Sequence, residues 1–504
     1  MIKLFGAGKP DHPMGDLREA KRILEELPAQ DPFKALDELM HWLESVSAAE
    51  GFRVEQRIQV LFAVDDAAQS RLRRLGREYL AAARPSRFQE NRLWSAVHGY
   101  WRQAGRSLAR AVDLFVQNAR GAESAKALLA LLLVRALRSL AQQIKWMHLR
   151  YGPVDASVWG VLNSVYAYAE ARKLAQAKVA VYPSVPGESS PQLELLKAAM
   201  FSAASPDSLL PQEAEFVERM IAGYAGRFAL ASAPSPELPF WTDLAQAMAP
   251  VRLIRTPQPG PGLRYLGAGA ALGELSALIE RIHTTRAVPA ELGLPEGQDA
   301  EFALELLRHL AQVWSPQPPE RKSQRHAVKT RLSVTHGYEG VLGVLGGGDS
   351  LDFDRQATES WIVENVSAGG FGAVVPKLKG DWLRVGALLA IQPEGGNNWV
   401  LGLVRRVNRT GGAEARVGIE TLSRAPAASM FRVSGSRDAT EQGVLIRNGE
   451  GAEARIVLKP GVYAPAQNLE LAAGERQHVF IPQGIAERGE DFEIARFREM
   501  IRES

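Results

Sequence analysis

The chain has 504 residues, of which 46% are hydrophobic and 23% are charged. This length allows two to four domains with substantial cores, and the composition is that of a folded globular protein, which excludes a largely disordered chain. A formal charge of +3 does not by itself indicate a nucleic-acid binder, and the absence of cysteine excludes disulfides, thiolate nucleophiles and cysteine-based metal sites.

The opening of the chain shows no export signal. The sequence MIKLFGAGKPDHPMGD lacks the apolar segment of about 7–15 residues that a secretory signal requires. The most apolar stretch, Ala127–Leu140, contains Arg135 and Arg138 and is shorter than the roughly 20 residues that span a bilayer. We therefore expect a soluble cytoplasmic protein without an integral membrane segment.

Helical periodicity dominates residues 1–314. Apolar residues recur at intervals of three and four, and Asp16 and Asp31 are placed to cap the first two helices. No fixed repeat is present, so we predict a helical bundle or irregular solenoid, with a loop-rich, proline-rich break near residues 233–262 that suggests two halves. The predicted helices are Asp16–Leu27, a helix that begins at Pro32, Val54–Ala83, Phe88–Val116, Ala122–Leu149, Val154–Val179, Pro191–Ala203, Pro211–Ala225, Ala270–Arg281 and Ala300–Trp314.

The pattern changes at SPQPPE, residues 315–320, which we interpret as a linker because proline cannot continue a helix. Between residues 321 and 424, six short runs alternate apolar and polar residues and are separated by Gly and Asn, which predicts a small antiparallel barrel. Further strand-like runs predict a β-rich extension over residues 425–504 that ends in a polar helix, EDFEIARFREMIRE. The predicted fold class is multidomain α+β.

Two groups of polar residues stand out in the predicted barrel. Arg321 and Arg325 follow the linker, and Asn365, Ser367 and Gly370 lie in the later sequence ENVSAGGFGA. A guanidinium group donates two parallel hydrogen bonds to a guanine edge or a phosphate and stacks on a purine ring. Asparagine and serine side chains donate and accept hydrogen bonds, and glycine permits close approach of the backbone. These residues alone indicate a planar or anionic polar partner.

The order Arg-x-x-x-Arg, first strand, Asn-x-Ser-x-x-Gly resembles the PilZ domain, a bacterial six-stranded β-barrel that is a receptor for cyclic di-GMP. The later runs DWLRVGALLAIQ, WVLGLVRRVNR and ARVGIETL also resemble that family, and the resemblance covers residues 320–424. It implies that Arg321 and Arg325 on an arm, with Asn365, Ser367 and Gly370 on the barrel, bind cyclic di-GMP, with no cofactor and no metal. Two features depart from the family pattern: a Gly-rich insertion at residues 340–358, and Asn rather than the commoner Asp at position 365.

Simpler interpretations of the same residues remain open. Arg321 and Arg325 are also compatible with a solvated basic hinge, and Asn365 and Ser367 with a turn whose side chains bond their own backbone. A second group of arginines, Arg405, Arg406 and Arg409, either lends charge to the ligand or protects an edge strand from aggregation.

The leading hypothesis for function is a cyclic di-GMP effector. In it, ligand binding orders the linker and changes how the helical domain meets an unidentified protein partner, with a homodimer as one possible assembly. The alternative is a non-enzymatic interaction scaffold whose degenerate barrel binds no nucleotide. A weaker third hypothesis is nucleic-acid binding through arginine-rich helices such as SRLRRLGREYL, which the acidic residues on those helices disfavour. No Ser/His/Asp or paired-carboxylate arrangement predicts an enzyme, and the sequence does not indicate the output pathway.

Overall fold

Two compact units make up the chain. The first contains Met1–Arg150, Val154–Pro206 and Pro211–Pro319, and the second contains Tyr151–Pro153, Asp207–Leu210 and Glu320–Ser504. The computed structural model describes residues 10–81, 86–295, 297–318, 323–346, 358–411, 413–436, 439–447, 453–473 and 476–503.

The predicted helical architecture of the first unit is confirmed. The Asp16 carboxylate accepts a hydrogen bond from the backbone N of Arg18 (2.9 Å), and Asp31 accepts one from the backbone N of Phe33 (3.1 Å), so both predicted caps are present. The helices are α1 (Leu17–Glu25), α2 (Pro32–Ala48), α3 (Val54–Leu80), α4 (Arg87–Val116), α5 (Lys126–His148), α6 (Ala156–Ala171), α7 (Pro191–Ser202), α8 (Pro211–Tyr224), α9 (Ala271–Thr285) and α10 (Ala300–Trp314).

The first unit also contains short strands that the sequence analysis did not predict. They form a hairpin, β1–β2, and a four-stranded sheet in the order β3-β6-β4-β5. The proline-rich segment at residues 233–262 contributes two of these strands, and residues on both sides of it belong to the same unit. The strands are β1 (Val179–Tyr182), β2 (Val185–Ser189), β3 (Ala229–Ala231), β4 (Phe240–Asp243), β5 (Val251–Arg252) and β6 (Leu263–Gly267).

Helix α5 lies in the core of the first unit. Among the described residues, the helical stretch Glu123–His148 is the one long and apolar enough to cross a membrane, but 61% of its most apolar window is buried inside the protein. The Arg135 guanidinium lies 3.3 Å from the Asp65 carboxylate and Arg138 lies 2.6 Å from Glu194, so its charges have buried partners. Burial raises the pKa of Asp65, and the adjacent Arg135 opposes that shift. These contacts are those of a core helix.

The predicted six-stranded barrel is confirmed in the second unit. Its strands close in the order β10-β11-β12-β9-β8-β7 around a core that includes Trp361, Val363, Ala373 and Val417. The elements are β7 (His326–His336), α11 (Tyr338–Leu345), β8 (Glu359–Ser367), β9 (Gly370–Val375), β10 (Leu388–Pro393), β11 (Val400–Gly411) and β12 (Glu414–Ser423).

The β-rich extension forms a second closed barrel in the order β13-β14-β15-β18-β17-β16. The predicted terminal helix is wrong, because Glu493–Glu503 is a strand that pairs with β15 on one side and β17 on the other. Ala495 and Phe497 alternate into the barrel core, so tertiary pairing overrides the helix propensity of the many Glu and Arg residues. The strands are β13 (Ala427–Val433), β14 (Thr440–Arg447), β15 (Glu453–Leu458), β16 (Leu469–Ala473), β17 (Arg476–Arg488) and β18 (Glu493–Glu503).

An apolar layer joins the two barrels. Val341 and Leu342 of α11 pack in one cluster with Leu401 of the first barrel and Val457 of the second. The backbone N of Tyr338 donates to the Asp491 carboxylate (2.7 Å) in the second barrel. The described part of the predicted insertion at residues 340–358 is therefore mainly a helix that ties the barrels together, and residues 347–357 lie outside the described part of the chain.

Candidate ligand-binding face of the first barrel

The pairing of β7 with β8 brings the predicted arm to the predicted barrel motif. His326 pairs with Val366 and Ala327 with Asn365, so continuing this antiparallel register by one residue places Arg325 opposite Ser367. Arg325 is exposed, and its side chain has no hydrogen bond or ion pair with any other residue that the structure describes. Arg321 lies outside the described residues.

A β-bulge in β8 sets the position of Asn365. Val363 pairs with Ala373 of β9, but Asn365 pairs with Gly372, so two residues of β8 oppose one of β9 at this point. A Cβ atom on Gly372 would lie 2.6 Å from Nδ2 of Asn365. The Asn365 side chain therefore lies over Gly372, in the space that a larger residue would occupy.

Two glycines extend this position into a flat strip. Gly372 pairs with Gly418 of β12, and both point outward because their neighbours Ala373 and Val417 are buried in the barrel core. The Asn365 amide lies over Gly372, and Gly418 beside it carries no projecting group. We call Asn365, Gly372 and Gly418 the glycine strip.

The polar side chains at this face keep hydrogen-bonding capacity. The half-buried Asn365 amide makes no hydrogen bond within the described part of the chain, so its N–H groups and its carbonyl oxygen remain open to a ligand. The hydroxyl of Ser367 donates to the carbonyl oxygen of Gly370 at 3.4 Å, a long contact and hence a weak one. The Ser367 hydroxyl thus makes one weak hydrogen bond within the turn, whereas the Asn365 amide makes none with the described residues.

Gly370 has a packing role. A Cβ atom at this position would lie 1.9 Å from the carbonyl oxygen of Ile419 in β12, far inside any van der Waals contact. Gly370 also pairs with Ser367 across the turn between β8 and β9. Only glycine allows β9 to approach β12 at this end of the barrel, whether or not a ligand is bound.

Several arginines surround the motif. Arg424, which is exposed, donates to the carbonyl oxygen of Ala368 (3.2 Å) in the turn, and Arg416 lies 3.7 Å from Glu364. Burial lowers the pKa of Arg405, but Glu487 and Glu420 more than offset it, so the pKa is raised. The three arginines of β11 are all paired with carboxylates: Arg405 with Glu420 (2.6 Å) and Glu487 (2.6 Å), Arg406 with Asp207 (3.1 Å), and Arg409 with Asp381 (3.0 Å).

Two family models match separate parts of the chain. Residues 18–235 match the model described as "Cyclic-di-GMP receptor FimW, N-terminal domain", and residues 351–429 match "Cyclic-di-GMP receptor FimW, middle PilZ domain". The first barrel is a PilZ domain. The PilZ match includes Asn365, Ser367 and Gly370, whereas the arm residues Arg321 and Arg325 precede it. No curated protein matches the sequence.

Sequence reasoning missed three residues at this face of the PilZ barrel: Gly372, Gly418 and Arg424. Glycine in a strand usually weakens it, so both glycines are unusual in otherwise alternating strands. The sequence shows that each glycine takes an outward position, Gly372 in β9 and Gly418 in β12. That the two glycines pair with each other follows only from the register of β9 against β12. Arg424 belongs to no motif that the sequence reveals. Its contact with Ala368 depends on the path of the chain at the end of β12.

Replacing Gly370 with alanine should destabilise the PilZ barrel, because the new methyl group overlaps the Ile419 carbonyl. We expect Gly370→Ala to cost about 1–3 kcal/mol, as overpacking of a close contact does, measured by denaturant unfolding followed by tryptophan fluorescence. Gly369→Ala is the matched control, since a Cβ at Gly369 meets nothing within 4 Å. It should change stability by less than about 0.5 kcal/mol. Equal stability of the two variants would contradict the packing role of Gly370.

Proposed function

We propose that this chain is a non-catalytic cyclic di-GMP receptor of the cytoplasm, and that the dinucleotide binds on the exterior of its PilZ barrel. The observation that carries this proposal is the strand register: Ala327 pairs with Asn365 and His326 with Val366, so its continuation puts Arg325 opposite Ser367, two positions along β8 from Asn365. The two halves of the motif, far apart in sequence, thus form one continuous face.

The chemistry of the face suits a purine dinucleotide. Gly418 carries no side chain, so a purine ring can lie there beside the Asn365 amide, which can bond a guanine edge through both its donor and its acceptor. Arg325 can stack on a base or bond a phosphate through its planar fork. We propose that Arg321 supplies the second guanidinium group. Arg424, beside the turn, adds positive charge near the ligand phosphates.

The arm also suggests how binding produces an output. Arg325 follows closely on the Pro319–Glu320 boundary between the two units. A ligand that contacts both the arm and the barrel favours the conformation in which the two meet, and only such a difference in affinity shifts the population. We propose that this shift changes the contacts of the helical unit with a protein partner.

Isothermal titration of the full chain with cyclic di-GMP tests the site directly. We expect Arg325→Ala and Asn365→Ala each to weaken binding by about tenfold or more, since lost hydrogen bonds to charged or desolvated groups cost about 1.5–3 kcal/mol. Arg331→Ala is the control, because Arg331 lies in β7 and is exposed like Arg325, but it pairs with Ile362, away from the motif.

Each outcome of this titration has a distinct meaning. Binding by wild type that both site variants weaken and the control retains supports the proposed face. Equal binding by all four proteins would indicate that the ligand binds elsewhere on the chain. The absence of binding by wild type would favour the interaction scaffold with a degenerate barrel.

Gly372→Ala tests the glycine strip without removing a polar group. The added methyl group must displace the Asn365 amide, a flexible side-chain end, so we expect weaker cyclic di-GMP binding with nearly unchanged unfolding stability. Titration and thermal unfolding of the same preparation measure both quantities. Gly343→Ala in α11 is the control, since a Cβ there has no neighbour within 4 Å. Unchanged affinity in Gly372→Ala would exclude the strip from the binding face.

A further inference from the structure

The second barrel repeats the topology of the PilZ barrel. When the strands of each barrel are numbered one to six in chain order, both close in the order 1-2-3-6-5-4. The third strands, β9 and β15, are six residues long, and every residue of each pairs with the sixth strand of its own barrel. Positions on these strands can therefore be matched residue by residue.

This match places two arginines where the PilZ barrel has its two glycines. Gly372 pairs with Gly418 at the third position of β9, and Arg455 pairs with Arg496 at the third position of β15. The flanking residues Ala454, Ile456, Ala495 and Phe497 all lie in the core of the second barrel. Arg455 and Arg496 therefore point outward, on the surface that corresponds to the proposed dinucleotide face.

The two arginines oppose each other with no carboxylate in their row. Directly opposed residues on antiparallel strands have Cβ atoms about 4.5–5.5 Å apart, and like charges in such a pair are destabilising. Their neighbours on the outer strands are Ile446 and Gly484, which carry no charge. Neither arginine has an ion pair or side-chain hydrogen bond with another residue that the structure describes.

Three other arginines of this barrel have carboxylate partners, whereas the opposed pair has none within the described part of the chain. Glu453, the acidic residue of β15, lies on the same face but opposite a third arginine, Arg498, so arginines outnumber carboxylates on this part of the face. The paired arginines are Arg432 with Glu470, Arg447 with Glu499 (2.7 Å) and Arg488 with Glu493 (3.5 Å).

The glycine next to Arg496 gives its guanidinium group room. A Cβ atom on Gly484 would lie 3.5 Å from Nη2 of Arg496, so the side chain extends across β17 rather than away from the barrel. Arg455 is half-buried and Arg496 is exposed, so the pair borders solvent. Both arginines lie on one barrel face, and each guanidinium fork can bond a phosphate group through two parallel N–H donors.

We propose that Arg455 and Arg496 form a second anion site, which binds a phosphate-bearing ligand on the exterior of the second barrel. A second molecule of cyclic di-GMP and another phosphorylated metabolite share the chemistry that this pair recognises. The site uses none of the residues of the proposed dinucleotide face, so the two proposals stand or fall separately.

Pyrophosphate at matched ionic strength is the probe for the anion site. We expect it to raise the unfolding temperature of the full wild-type chain relative to chloride, and we expect Arg455→Gln/Arg496→Gln to abolish that rise. Arg476→Gln/Arg502→Gln removes the same charge from exposed positions at the other end of β17 and β18 and should keep the rise. In chloride alone, Arg455→Gln/Arg496→Gln should unfold at a temperature equal to or above that of wild type, because the opposed charges are gone.

The results test first whether the anion site exists and then which ligand it binds. An equal response to pyrophosphate in all three proteins, or no response in wild type, would overturn the proposal. A loss confined to Arg455→Gln/Arg496→Gln supports it. Titration with cyclic di-GMP then identifies the source: a fall in stoichiometry for this variant alone indicates a second dinucleotide, and an unchanged stoichiometry indicates another phosphorylated ligand. We expect Asn365→Ala, which weakens cyclic di-GMP binding at the first barrel, to keep the rise in unfolding temperature with pyrophosphate.

Discussion

The close approach of Gly370 to the carbonyl oxygen of Ile419 is the contact on which the rest of the binding face depends. The absence of a side chain at Gly370 allows β9 to pair with β12 at the end of the barrel where the chain turns back from β8. With that register fixed, Gly372 lies beside Gly418 and beneath the amide of Asn365. The same turn ends β8 at Ser367, opposite the position of Arg325. One steric requirement in the backbone thus aligns a surface built from four strands.

The two barrels show how one topology carries different surfaces. Their strand orders are identical, but the exterior pair at the third position is glycine–glycine in the first and arginine–arginine in the second. A fold does not determine function, since binding depends on the side chains placed on it. The helix α11, with Tyr338 bonded to Asp491, joins the barrels through an apolar layer, so both surfaces belong to one unit.

Sequence reasoning predicted the features that depend on local pattern. The helices were predictable because amphipathic periodicity and capping residues such as Asp16 and Asp31 act within a few residues. The PilZ barrel was predictable from period-two runs and from the resemblance of its motif. Short strands such as Val251–Arg252 were not, because two residues cannot show a period. The strand Glu493–Glu503 was misread as a helix, since its many Glu and Arg residues favour helix and only pairing on both sides makes it a strand.

The candidate site likewise has residues that the sequence predicted and roles that only the structure shows. Arg325, Asn365, Ser367 and Gly370 were selected by type and order, and the structure brings these four residues to one end of the barrel. The packing role of Gly370 and the pairing of Gly372 with Gly418 depend on register, which a single sequence does not specify. The part that Arg321 plays stays a prediction.

A crystal structure of the full chain with cyclic di-GMP tests the central claim most directly. We expect density for the dinucleotide on the exterior of β8, β9 and β12, with a guanine over Gly418, the Asn365 amide on its edge and the Arg325 guanidinium group on a base or a phosphate. Density for the dinucleotide elsewhere, with the Asn365 and Arg325 side chains not in contact with it, would contradict the account.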